Sequence, residues 1–137
     1  MKDEKSLELW TQYLNSINWK EFLRTCNEIP GASNTFLELQ KLNILKGFIT
    51  RIHSFEEGIE KSLFIREKGF KVPMYYVLPE QPKSNVYVPN KNTILLEDKY
   101  ENAYDWEHNG GRSIIYDPYA LEEDGIILKE LSHLLKK

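Results

Sequence analysis

The chain has 137 residues, of which 41% are hydrophobic, 12% aromatic and 28% charged, and a formal net charge of −3. This length and composition predict one globular domain, 1–137, and do not fit a disordered chain. No apolar run approaches the ~20 residues of a membrane span, and no apolar signal segment follows the charged start. The single cysteine, Cys26, cannot form an intramolecular disulfide and fits a reducing compartment. We therefore expect a cytoplasmic protein without membrane contact.

The negative charge is concentrated in the last third of the chain, within residues 97–130. Residues 1–96 carry 13 Lys and Arg against 11 Asp and Glu, whereas residues 97–130 carry 3 against 10. Charge runs on small domains usually serve solubility, so a solvated acidic surface is the simpler interpretation. The alternative is a docking surface for a basic protein. An acidic surface repels phosphates, and we therefore expect no direct binding of nucleic acid.

The first part of the chain, 1–46, has the apolar spacing of amphipathic helices. One stripe covers 7–17 and a second covers 19–29, with Asn18 as the predicted N-cap of the second helix. A short third helix is predicted after these two, with Thr35 as its cap, ending near Lys46-Gly47.

Between residues 47 and 117 the pattern favours strands. The runs 47–55, 62–66 and 70–78 predict three strands, the last two joined as a hairpin. Pro73 cannot donate to a sheet ladder, so its strand is predicted to be an edge or to carry a bulge. The run 93–97 predicts a more buried strand.

A further hairpin is predicted from the alternation over 104–108, which reverses at Asn109-Gly110-Gly111 and returns over 113–116. Asp117 is predicted to cap a turn. The last part, 118–137, has the apolar face of a helix, with Asp124 as its cap. These elements predict an α+β fold: N-terminal helices, a mostly antiparallel β-sheet built from hairpins, and a C-terminal helix packed on the sheet.

Catalytic and metal-binding motifs are weak in this sequence. His53, His108 and His133 lack metal-ligand spacing, and we expect no metal, no cofactor and no catalytic residue. One motif keeps an enzyme alternative open. Glu97-Asp98-Lys99 has the acid-x-Lys form of metal-dependent nuclease cores, in which a carboxylate holds the cation, with His108 as a further candidate.

Acids and aromatic residues are interleaved in the acidic third. Tyrosine and tryptophan among carboxylates are typical of binding hot spots, where rings provide burial and charges provide steering. On a strand, the rings of residues 104 and 106 would lie on one face and the acids of 105 and 107 on the other. The residues predicted to bind a partner are Asp98, Glu101, Tyr104, Asp105, Trp106, Glu107, Asp117, Tyr119, Glu122, Glu123 and Asp124.

A small acidic α+β protein without a catalytic motif suggests a stoichiometric inhibitor that binds another protein. By analogy of class, we expect a bacterial toxin-immunity protein that occludes a basic partner, such as a toxin or nuclease domain. A phage-type inhibitor that mimics nucleic acid against a host defence enzyme predicts the same acidic face. The enzyme alternative is a small metal-dependent nuclease.

Overall fold

The computed structural model describes residues 18–25, 29, 31–121, 123 and 127–136. The predicted helix over 7–17 and the predicted cap Asp124 lie outside these residues. The elements along the described chain are α1 (Trp19–Thr25), α2 (Ala32–Lys41), β1 (Phe48–Arg51), α3 (Phe55–Glu67), β2 (Met74–Val77), a 3-10 turn (Lys83–Asn85), β3 (Ile94–Glu97), α4 (Tyr100–His108), β4 (Arg112–Tyr116), β5 (Ile127–Leu128) and a 3-10 helix (Leu131–Lys136).

The two small sheets are entirely parallel, so the predicted mostly antiparallel sheet is wrong. One sheet contains β1 and β2, with Phe48 opposite Met74; the other has the order β3-β4-β5. Parallel strands cannot be joined by a tight turn and need a crossover of a dozen or more residues. Helices α3 and α4 are these crossovers. The fold is therefore α+β, with two β-α-β units that follow each other along the chain.

Residues 62–66 lie in α3, and the hairpin predicted from them is wrong. The helix begins at Phe55 because Ser54 caps it: the Ser54 hydroxyl accepts a hydrogen bond from the Glu57 backbone N–H at 3.1 Å. Serine followed three residues later by glutamate is a helix-start signature. It also explains why the strand predicted over 47–55 ends early, at Arg51.

Residues 104–108 lie in α4, and the hairpin predicted there is also wrong. The Asn-Gly-Gly sequence ends the helix: the Asn109 N–H donates to the Asp105 carbonyl and the Gly110 N–H to the Glu107 carbonyl. Gly110 has φ 94°, the left-handed conformation that also ends many helices. The same residues would suit a hairpin turn, so they do not distinguish the two structures.

The predicted C-terminal helix is wrong within the described residues. Ile127 pairs with Ile115 and Leu128 with Tyr116, which adds β5 to the parallel sheet. Leu128 is fully buried there, and the residues after it form a 3-10 helix.

Other predictions are confirmed. Asn18 caps α1 through a hydrogen bond from the Glu21 N–H, and β3 and β4 occupy the ranges expected for them. Thr35, however, is not a cap: α2 starts after Gly31, and Thr35 is buried inside the helix.

Aromatic contacts connect the two units. Tyr75 in β2 packs edge-on against Tyr87, and Tyr87 stacks on Trp106 of α4 at 6.0 Å. Gly111 makes this packing possible, because a Cβ at Gly111 would lie 2.3 Å from the Trp106 Nε1 atom. Of the helices described, none is both long enough and apolar enough to cross a membrane.

Candidate functional site

Helix α4 determines which residues of the acidic third reach solvent. Ala103 and Trp106, three residues apart, are buried and pack the helix on β3 and β4. Trp106 is 2% exposed, so this predicted binding residue belongs to the core. Tyr104 lies on the outer side of the helix and is 63% exposed. The rings of Tyr104 and Trp106 therefore do not share a face.

An exposed cluster forms where α4 begins and β4 ends. The Tyr100 hydroxyl donates to Asp117 Oδ2 at 3.0 Å, and the Tyr100 and Tyr104 rings lie 6.3 Å apart. The Tyr119 N–H donates to Asp117 Oδ1 at 3.0 Å, which confirms Asp117 as a turn cap, and Tyr119 is 92% exposed. With exposed Glu101 on the same helix, these residues make up the tyrosine–acid patch: Tyr100, Glu101, Tyr104, Asp117 and Tyr119.

The other two predicted acids of α4 lie on its opposite flanks. Asp105 faces the 3-10 turn and accepts a hydrogen bond from the Ser84 hydroxyl at 3.0 Å. Glu107 faces β4 and accepts one from the Ser113 hydroxyl at 2.5 Å. Hydroxyl groups therefore hold both carboxylates in place without neutralising them.

Glu97 and Asp98 form a carboxyl pair at the end of β3. Glu97 is 4% exposed, and its Oε2 lies 2.6 Å from the Lys83 Nζ atom. Burial raises the pKa of Glu97, but the hydrogen bond and charge of Lys83 outweigh this and hold the pKa below its ordinary value. Partial desolvation and the neighbouring Glu97 carboxyl raise the pKa of Asp98. At neutral pH, Glu97 is thus an internally paired anion.

The predicted nuclease residues are not gathered at one point. Lys83, rather than an open position, faces the Glu97 carboxylate. His108 is the last residue of α4, at the far end from Asp98 and Lys99, and a nine-residue helix is about 13 Å long. Among the described residues, no group of three or more His, Cys, Asp and Glu side chains could hold a metal ion.

The last acidic segment is only partly described. The Glu123 carboxylate accepts a hydrogen bond from the Lys129 N–H at 2.9 Å and pairs with His133 Nδ1 at 2.9 Å. Glu122 and Asp124, also predicted to bind a partner, lie outside the described residues.

Glu57, in the first β-α-β unit, is a buried and internally paired carboxylate, unlike the acids of the patch. Glu57 is 1% exposed, pairs with Lys61 at 2.6 Å and accepts a hydrogen bond from the His53 N–H. Burial raises the pKa of Glu57, and the bonds from Lys61 and His53 outweigh it, so the pKa is lowered. Among the described residues, in contrast, the donors to the Asp117 carboxylate are the neutral Tyr100 hydroxyl and Tyr119 N–H.

Four of the five patch residues were among those predicted from the sequence to bind a partner: Glu101, Tyr104, Asp117 and Tyr119. Tyr100 and Lys83 were not. Tyr100 completes the patch, and Lys83 neutralises the neighbouring Glu97. The signal for Tyr100 was its spacing of four residues from Tyr104. In a helix such residues are neighbours on one side, whereas on a strand they share a face but lie about 13 Å apart. Nothing in the sequence around Lys83 indicated a partner 14 residues away.

A small cavity of about 90 Å³ lies between α1 and α3, away from the patch. It is lined by Lys20, Leu23, Glu60, Leu63, Phe64 and Glu67. The lining carries both positive and negative side chains and the cavity opens to solvent, so it has no chemistry that would select one kind of ligand.

No protein-family model, no curated protein and no solved structure matches the chain.

Proposed function

We propose that the protein is a stoichiometric inhibitor that binds a basic protein, of the bacterial toxin-immunity kind. The tyrosine–acid patch is the observation that carries this proposal. Exposed tyrosine rings that cluster on one surface present contiguous apolar area to water, which is more typical of an interaction surface than of one that serves only solubility. In a complex, the same rings provide burial with little loss of side-chain entropy.

Charge complementarity supports a basic partner. Glu101 and Asp117 have no described cationic partner, whereas the buried acids Glu57 and Glu97 are paired inside the protein. The patch contains no cation of its own, and Lys99 is the exposed cation next to it. The excess of negative charge would steer a cationic protein into an encounter, and the rings would then slow its dissociation.

Inhibition would occur by occlusion. A toxin or nuclease domain that binds phosphates has a cationic site, and an acidic surface seated on that site excludes the substrate. Such a partner would be met in the cytoplasm, where the single cysteine stays reduced. A phage-type inhibitor of a host defence enzyme would use the same surface, so the identity of the partner separates the two.

The test is co-expression with the product of the adjacent gene, followed by measurement of the purified complex. We expect the protein to restore growth to cells that express the partner, and the association rate to fall as salt is added. Tyr104→Ser combined with Tyr119→Ser should raise the dissociation rate about tenfold or more, because central aromatic residues dominate binding energy.

Phe55→Ser is the matched control. Phe55 is a similarly exposed ring, 83% accessible, at the start of α3 and outside the patch. We expect this variant to bind as the unmodified protein does. If the tyrosine variant binds unchanged, or both variants lose affinity equally, the patch is not the binding surface.

A further inference from the structure

We infer that Asp117 is an anchoring site for an arginine side chain of the basic partner. This inference rests on the proposed function and names the chemistry at the centre of the binding surface. It depends on three features of the site: the hydrogen bonds of the Asp117 carboxylate, the rings beside it, and the charges around it.

The Asp117 carboxylate is oriented but not saturated. A carboxylate can accept about four hydrogen bonds. Asp117 receives one from the Tyr100 hydroxyl on Oδ2 and one from the Tyr119 N–H on Oδ1, each at 3.0 Å. Both donors are neutral, so the full negative charge remains, and each oxygen keeps an acceptor position for the parallel N–H groups of a guanidinium.

The rings suit a flat cation. The Tyr100 hydroxyl is hydrogen-bonded to one oxygen of Asp117. Tyr119 lies two residues after Asp117 and is 92% exposed. A guanidinium can bind a carboxylate with two N–H groups while its planar face lies on an aromatic ring. An ammonium group is a point charge with a strongly bound water shell and matches this arrangement less well.

The surrounding charges favour a cation from outside. Among the described residues, no Lys, Arg or His side chain forms an ion pair with Asp117. Lys99 is the residue just before α4, next to Tyr100. The Glu101 carboxylate is exposed one residue after Tyr100 and adds to the negative potential. An incoming arginine therefore meets an oriented anion without displacing an internal cation.

The experiment is an NMR titration of the full chain with short blocked peptides: acetyl-Gly-Arg-Gly-amide, its lysine counterpart and its citrulline counterpart. We expect saturable shifts of the backbone amides of residues 117 and 119–121 with the arginine peptide, weaker binding of the lysine peptide, and no binding of the uncharged citrulline peptide.

Asp117→Asn should weaken the arginine peptide about tenfold or more, because a charge-assisted pair becomes a neutral contact. Glu80→Gln is the control: it removes one negative charge from an exposed residue in the turn after β2, outside the patch, and we expect less than about a twofold effect. Tyr119→Leu keeps the apolar bulk but removes the π face, and should reduce the preference for arginine over lysine about threefold.

Two results would overturn the inference: equal loss of affinity in Asp117→Asn and Glu80→Gln, or equal binding of the arginine and lysine peptides. Failure here is distinguishable from failure of the proposed function. If Tyr104→Ser with Tyr119→Ser abolishes partner binding while the arginine peptide causes no shifts, the inhibitor proposal stands and the arginine site does not. If the arginine peptide binds as expected and no partner is inhibited, the arginine site stands and the inhibitor proposal does not.

Discussion

Replacing Lys83 by methionine removes the cation that neutralises a buried carboxylate. The Lys83 Nζ atom lies 2.6 Å from Glu97 Oε2, and the Glu97 side chain is 3% exposed. Removing one partner of such a pair costs about 3–5 kcal/mol, because the other charge stays desolvated. The Asp98 and Lys99 N–H groups still donate to Glu97 Oε1. We therefore expect a loss of about 3 kcal/mol in the free energy of unfolding at neutral pH.

This loss should depend on pH. In the native protein, burial raises the pKa of Glu97 but Lys83 brings it below the ordinary value. The pair therefore contributes stability above the unfolded pKa, about 4.3, and the contribution is lost as the pH falls through the folded pKa. In Lys83→Met the pKa of Glu97 rises, because burial is no longer opposed by the lysine. The carboxyl then takes up a proton on acidification, and the difference in stability between the two proteins should shrink as the pH falls.

Urea unfolding followed by circular dichroism at neutral pH and near pH 4.5 measures both effects. A loss of 3 kcal/mol corresponds to a melting temperature about 10 °C lower for a chain of this size. Lys91→Met is the control, since Lys91 is exposed in the loop before β3 and should change stability by less than about 0.5 kcal/mol. A loss below about 1 kcal/mol at neutral pH, or one that does not vary with pH, would refute the reasoning.

Two further substitutions test the local structure. Ser54→Ala removes the hydroxyl that accepts the Glu57 N–H at the start of α3, and thermal unfolding should show a loss of about 1 kcal/mol; an unchanged melting temperature would show that the cap contributes nothing. Gly111→Ala places a methyl group against the buried Trp106 ring and should cost about 3 kcal/mol or more, measured by urea unfolding with tryptophan fluorescence. Gly110→Asn is the control for Gly111→Ala, since asparagine tolerates the left-handed backbone at position 110 and a Cβ there meets nothing within 4 Å. An equal loss of stability in both variants would contradict the packing argument.

The sequence predicted where apolar strands occur better than how they pair. β3 was expected from a short apolar run and β4 as the return strand of a hairpin; both strands occur, but β4 pairs with β3 in parallel. The direction of pairing depends on what joins the strands. Residues 104–108 alternate in polarity over only five positions, and so short a pattern does not distinguish a strand from a helix. The segment is in fact helical and buries Ala103 and Trp106.

The candidate site was predictable in composition but not in arrangement. The sequence predicted Tyr119 and Asp117 as partner-binding residues just after a strand end; Tyr119 is exposed there and Asp117 is half-buried. The sequence did not predict that Tyr104 and Trp106 lie on different faces, because this arrangement follows from the helical period of α4. The pairing of Glu97 with Lys83 joins residues 14 positions apart through the tertiary fold, and local pattern carries no information about it.

The succession of two β-α-β units has a consequence for how the chain folds. Paired strand residues are 26 positions apart in the first sheet, as in Phe48 and Met74. In the second sheet they are 18 apart, as in Ile94 and Arg112, and 12 apart between Ile115 and Ile127. Neither sheet takes a strand from the other unit, so the contacts of each sheet have low sequence separation. Each pairing therefore closes a loop of at most 26 residues, and either sheet can form without a strand from the other unit.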